Sequence, residues 1–249
     1  MKNKTLWKQV GAAAIAAAMV MSTVPATPVQ AAGGKTLAVS SQKQLNQALK
    51  TVKGKNAVIT VKAGKNVKIT IPKGTYKVTI RVVGKKAAVV NNGTVKEIVV
   101  NSKGTVAIKN NGAIKKVTVQ NAKSVSFSGN HKKAVPVVVN AEDVSMILAA
   151  PAKITAKKDV NIVLKKGAEK SSITCTKNVQ AQVDNQTKKA ISVKIADGTT
   201  LKVESGESCT ITPKGKKEDT SGEDKTDGKD QKTDDTSDGN ASSGSSSSG

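Results

Sequence analysis

The residue types that could do chemistry are few and scattered in this 249-residue chain. Its one histidine, His131, lies in Gly129-Asn130-His131-Lys132-Lys133, a lysine-rich setting that suits a surface corner better than a catalyst. Glu142-Asp143 is the one adjacent acidic pair between residues 57 and 212. Asp143 and Asp159 stand at matching places before Val144 and Val160, so a repeating fold would stack them. Two carboxylates can divide acid and base work in glycoside cleavage, but one or two are too few for a typical calcium site. The chain shows no Ser/His/Asp set, no His/Cys spacing suited to a metal and no glycine loop suited to phosphate. No catalytic residue, metal or cofactor is therefore expected.

The chemistry this chain offers in quantity is positive charge. Residues 33–217 carry 35 Lys and Arg against 9 Asp and Glu, a net of +26, whereas residues 218–249 carry 3 against 9, a net of −6. A field of that size attracts anionic polymers over a range set by salt screening. Lysine also keeps β-arrays soluble and unpaired at their edges, so charge alone does not define a site. After residue 32 only Tyr76 and Phe127 are aromatic, which leaves charge and backbone shape, not stacked rings, to hold a partner.

The elements that must position these groups repeat about every 19 residues. One apolar set runs Val67, Ala87, Val106, Val125, Val144, Val160, Val179 and Leu201. A second runs Ile59, Val78, Ile98, Val117, Val137, Ile154, Ile173, Val193 and Cys209. Two registers in phase point to a solenoid whose coils bury their apolar rows only by stacking on one another. The reading is an all-β, single-stranded parallel β-helix, or β-solenoid, of about nine coils of roughly 19 residues, with a short N-terminal capping helix. Ser41 followed by Gln44 fits a capping box. Leu45, Ala48, Leu49 and Val52 share one face of a helix over residues 40–53 that covers the open end of the core. Asn91-Asn92-Gly93 and Asn110-Asn111-Gly112 mark corners, since Asn-Gly tolerates positive φ and so suits a tight turn.

Four segments follow: an export leader over 1–32, a cap over 33–54, the solenoid over 55–213 and a disordered acidic, Ser/Gly-rich tail over 214–249. The leader reading rests on basic Lys2, Lys4 and Lys8, the short apolar stretch Gly11 to Met21 and the small residues from Ala26 to Ala32. The mature protein is thus expected outside the cell, secreted or held at the cell wall, with no membrane span.

The stretch Val39 to Leu49, then Ala57-Val58-Ile59-Thr60-Val61 and Ile71-Pro72-Lys73-Gly74-Thr75-Tyr76, resembles the helix-capped start of the pectin-lyase-like parallel β-helix proteins. The later coils are similar, by period, to the Lys-, Val- and Asn-rich arrays on secreted surface proteins of Gram-positive bacteria. The resemblance implies a parallel β-helix. It also implies, as the alternative function, a degenerate or unusual polysaccharide lyase or hydrolase.

The register assigns the second strand's outward column to Thr60, Thr79, Val99, Thr118, Val138, Thr155, Thr174, Lys194 and Thr210. Lys77, Glu97, Lys116 and Lys153 flank it on one side, and Lys62, Arg81, Asn101, Gln120, Asn140 and Lys157 on the other. Threonine suits an exposed strand for its own sake, and the bordering charge speaks against an ice-binding face. The candidate binding face is Lys62, Lys77, Thr79, Arg81, Lys116, Thr118, Lys153, Thr155 and Lys157. Its partners would be anionic envelope polymers or acidic host glycans, with no sequence-specific nucleic acid. The same register separates Cys175 from Cys209 by two coils and one column, about 10 Å at ~4.8 Å per rung. That exceeds the ~7 Å reach of a disulfide, so two buried thiols are expected.

Overall fold

A computed structural model describes residues 35–63, 67–213 and 217–219. The export leader, and all of the acidic tail apart from Lys217–Asp219, lie outside the described residues. The chain winds through about eight turns of a β-solenoid whose strands fall in two sheets. The first sheet runs β1 (Lys35–Val39), β2 (Ala57–Ala63), β4 (Thr75–Gly84), β6 (Thr94–Asn101), β8 (Ala113–Asn121), β10 (Val135–Val139), β12 (Ala152–Ala156), β14 (Ser172–Cys175), β16 (Ile191–Lys194) and β17 (Thr200–Val203). The second runs β3 (Val67–Ile71), β5 (Lys86–Asn91), β7 (Thr105–Asn110), β9 (Ser124–Ser128), β11 (Val144–Ala149), β13 (Val160–Leu164), β15 (Ala181–Asn185), β18 (Ser208–Ile211) and β19 (Lys217–Asp219). Each coil adds one strand to each sheet.

Val and Ile dominate because every strand turns alternate residues inward, and β-branched side chains fill that pleat well. The core is one stack, with Ile59, Ile80, Ile98, Val117, Ile154 and Ile173 from the first sheet each 0–1 % exposed. Ile69, Val106, Phe127, Met146 and Ile162 face them from the second sheet. Each such side chain contributes about 1.5–3 kcal/mol by leaving water.

The helix α1 (Gln42–Thr51) forms where the spacing places it, with Leu45, Ala48 and Leu49 turned to the core. Ser41 caps it, its side chain accepting from the Gln44 N–H at 3.3 Å. The reciprocal bond lands one residue early, since Gln44 Oε1 accepts from the N–H of Ser40 at 2.7 Å.

The corners correct one expectation. Gly93 and Gly112 are not in the left-handed region. They are glycines because the neighbouring coil lies against them: a Cβ on Gly112 would stand 2.1 Å from the carbonyl oxygen of Gly93, and one on Gly93 2.5 Å from that of Pro72. The asparagines point inward. Asn91 and Asn110 are fully buried, and Asn91 Nδ2 donates to Gly93 O at 3.0 Å, Asn110 Oδ1 at 2.8 Å and Ala113 O at 3.3 Å. One side chain thereby closes its own corner and ties it to the next.

The register also departs from even repetition in three places. Ile59 pairs with Ile80, not Val78, because β4 carries an irregularity between Tyr76 and Thr79. In the second sheet Val125 pairs with Met146, not Val144, and Val160 with Ala181, not Val179. The insertion Gly129 to Ala134 lengthens one coil before this slip. Finally, the parallel winding stops at β16: β17 runs antiparallel to it, and β18 antiparallel to β15. Cys209 therefore sits in the second sheet opposite Val183, and Leu201 in the first opposite Val193, the reverse of the columns expected. Cys175 and Cys209 are both buried and form no disulfide, as expected, although the register behind that expectation does not hold.

Candidate functional site

The candidate face is the outer surface of the first sheet. Inward alternation leaves one outward column reading Thr60, Arg81, Val99, Thr118, Val138, Thr155, Thr174 and Lys194. The irregularity in β4 exchanges two expected positions. Arg81 stands in the threonine column, and Thr79 moves to the flanking one, opposite Glu97. The interchange follows from the alignment: β4 pairs two residues further along than even spacing places it, so Arg81 meets Thr60 and Val99, and the irregularity sets three steps of β4, Tyr76 to Thr79, against two of β6, Val95 to Glu97.

The flanking column then reads Val58, Thr79, Glu97, Lys116, Pro136, Lys153, Ser172 and Ser192. Lys116 and Lys153 are two rungs apart across Pro136, about 10 Å at ~4.8 Å per strand. Lys62 lies opposite Val83 at the far edge of the face. Lys77 falls in the irregularity of β4, and Lys157 follows β12 with its N–H bonded to Val139 O at 2.9 Å. Lys62, Lys77, Lys116, Lys153 and Lys157 are exposed; Thr79, Arg81 and Thr155 are half-buried.

Thr118 does not fit the face as expected. It is 8 % exposed, and its hydroxyl donates to Glu97 Oε1 at 2.6 Å. The same carboxylate oxygen is 3.1 Å from Lys116 Nζ. Glu97 is thus a built-in anion that occupies one lysine and one threonine of the candidate set. The sequence register already placed Glu97 beside Lys116 in the flanking column; what it did not show is that Thr118, from the next column, turns to the same carboxylate.

Arg81 behaves differently. Its Nε is buried and has no hydrogen-bond partner. Among the described residues only two ion pairs form, Lys116–Glu97 and Lys158–Glu142. Folding therefore leaves almost all of the cationic excess unpaired.

The residues suited to acid–base chemistry do not assemble into a set. Asp143 and Asp159 share a shallow depression with Asn161, Gln180, Gln182 and Thr210 on the second sheet. Asp159 Oδ1 there accepts the Gln180 N–H at 2.8 Å. Glu142 instead turns to Lys158, 2.7 Å away, which lowers the Glu142 carboxyl pKa mainly through that hydrogen bond. His131 is half-buried rather than free on the surface. Its Nδ1 is 3.2 Å from Asn110 O and its Nε2 3.0 Å from Pro151 O, so the ring braces two coils. Among the described residues no three His, Cys, Asp or Glu side chains gather as metal ligands, and no helix is long and apolar enough to cross a membrane.

No protein-family profile matches this chain, and neither the curated proteins nor the solved structures compared with it contain a match.

Proposed function

We propose that this protein is a secreted or cell-surface structural and adhesive module. It holds anionic polymers against the basic outer face of its first sheet and performs no catalysis. The observation that carries the reading is that Arg81, half-buried in that face, forms no ion pair among the described residues and stands beside a column in which Lys153 and Lys116 recur about 10 Å apart. A polymer lying along the solenoid axis would meet Arg81, Lys116 and Lys153 in turn, with Lys116 shared by Glu97, and its affinity would fall as salt rises. Teichoic-type polymers and sulfated or sialylated glycans have the required charge. The apolar lead-in and helix-capped start support an exported solenoid of the pectin-lyase-like kind.

The test is retention on immobilised polyphosphate and on a sulfated glycan across a salt series. Retention at low salt, lost as salt rises and weakened in Arg81→Gln with Lys153→Gln, is the expected result. No retention at low salt, or retention indifferent to salt, would sink the proposal.

One observation favours an enzymatic second reading: Asp143 and Asp159 line a common depression. Cleavage of an acidic polysaccharide that disappears in Asp143→Ala or Asp159→Ala would establish it. Inactivity across a broad panel of such polymers would remove it.

A further inference from the structure

The N-terminal cap holds a second, separate basic site, and the chain's one tyrosine is its floor. A groove of about 470 Å³ runs between the end of α1 and the corner joining β3 to β4. Such a volume is typical of small-ligand sites, which span ~300–1,000 Å³. Asn46, Leu49, Lys50 and Lys53 line one side; Pro72, Lys73, Gly74, Thr75 and Tyr76 line the other.

The ring of Tyr76 is fixed in place. Its hydroxyl donates to the carbonyl oxygen of Lys73 at 3.2 Å. Two glycines make room for it. A Cβ on Gly74, which sits at φ +143, would stand 2.9 Å from the Tyr76 hydroxyl, and one on Gly93 would stand 3.1 Å from Cε2. The ring is half-buried and packs against the core cluster, so it lines the groove as a preorganised apolar surface.

The charge is one-sided. Lys50, Lys53 and Lys73 line the groove, all exposed. No carboxylate stands among the lining residues, and the first acidic residue of the whole chain is Glu97. Lys50 also lies in the last turn of α1, where a cation is favoured by the helix dipole but still lacks an anion. A single carboxylate would answer one of three ammonium groups. A phosphate ester, carrying a charge of about −1.5 to −2 with three acceptor oxygens, answers more of them. Asn46 keeps its amide N–H groups available, because its Oδ1 is the atom taken by Gln42, at 2.8 Å.

We infer that this groove binds a phosphorylated hexopyranose unit, the sugar ring lying on Tyr76 and the phosphate held by Lys50, Lys53 and Lys73. The site is distinct from the sheet face and does not depend on that face binding anything.

The full chain can be tested without substitution, because its single tyrosine gives one set of ring resonances. Those resonances are followed by NMR while glucose 6-phosphate, glycerophosphoryl glucose, glucose, inorganic phosphate or galacturonate is added. A saturable shift with either sugar phosphate, and little or none with the other three, is expected. Glucose 6-phosphate should bind more tightly than glycerophosphoryl glucose, because a diester carries one charge and two free oxygens; a stronger diester would overturn the charge argument. Tyr76→Ala should weaken binding about tenfold, near the upper end for an aromatic contact, and Tyr76→Phe should retain it. Lys50→Gln with Lys73→Gln should weaken the sugar phosphates selectively, as read by calorimetry. Arg81→Gln with Lys153→Gln, which tests the sheet face, should leave the Tyr76 shifts unchanged. No shift, an equal shift with glucose, or an equal shift with inorganic phosphate or galacturonate would overturn the assignment.

Discussion

The side-chain amide of Gln42 pairs with the backbone of Thr70 as a neighbouring strand would. Gln42 Nε2 donates to Thr70 O at 2.8 Å, and Thr70 N–H donates to Gln42 Oε1 at 2.6 Å. β3 is the terminal strand of the second sheet, with β5 on its other side. An unpaired edge of this kind is a template for association, and one glutamine on the capping helix occupies part of it. Replacement Gln42→Ala removes both bonds, so unfolding free energy should fall by about 1–3 kcal/mol, with more light scattering at high concentration. Denaturant unfolding and scattering together check this; a variant as stable and as monodisperse as the parent would show that the cap works through apolar contact alone.

The buried asparagines at the corners should not be equivalent. Asn91 Nδ2 has three acceptors, whereas Asn110 Nδ2 is buried without a partner. Asn91→Ala removes the donor shared by three acceptors on two coils and should cost about 2–3 kcal/mol. Asn110→Ala mainly forfeits the one bond its Oδ1 accepts, about 1 kcal/mol. Thermal melts of the two variants side by side decide the matter, and equal losses would contradict the assigned network.

Glu97 should act as a brake on the basic face. Glu97→Gln releases Lys116, whose side chain is 49 % exposed, from the carboxylate 3.1 Å away. Retention on polyphosphate should then persist to higher salt than in the parent. Elution at the same salt would mean that Lys116 takes no part in binding.

Cys175 supplies a pH dependence of known sign. Burial, reinforced by the nearby Cys209, pushes its thiol from 9.0 up to about 11. Above pH 9 the unfolded chain releases this proton while the folded chain keeps it. The contribution to stability is therefore complete below pH 9 and is lost as pH rises toward 11. The difference in melting temperature between the parent and Cys175→Ala should shrink over that interval. In the folded protein near pH 8, a thiol reagent should react slowly with Cys175, because the thiolate is scarce and the sulfur covered. Fast modification under native conditions would refute this.

The sequence by itself determined the solenoid, the helical cap and the cationic excess. A period near 19 with inward Val and Ile admits few packings other than stacked coils, and Leu45, Ala48 and Leu49 can face only the open end of that stack. Register was legible along most of the first sheet, even across the Gly129 to Ala134 insertion. Ile98, Val117, Val137, Ile154, Ile173 and Val193 align as spacing places them. An irregularity in β4 leaves the local pattern intact while moving the neighbours in space, which is why Arg81 and Thr79 changed columns. Separately, the antiparallel turn after β16 carried Cys209 to the other sheet. Only the tertiary structure could add Thr118 to the Glu97–Lys116 pair, or bring Tyr76 to Lys50 and Lys53, because those contacts depend on how side chains turn between columns and between elements. Periodicity fixes which side of a strand a residue faces; the stacking offset between coils fixes what it faces there.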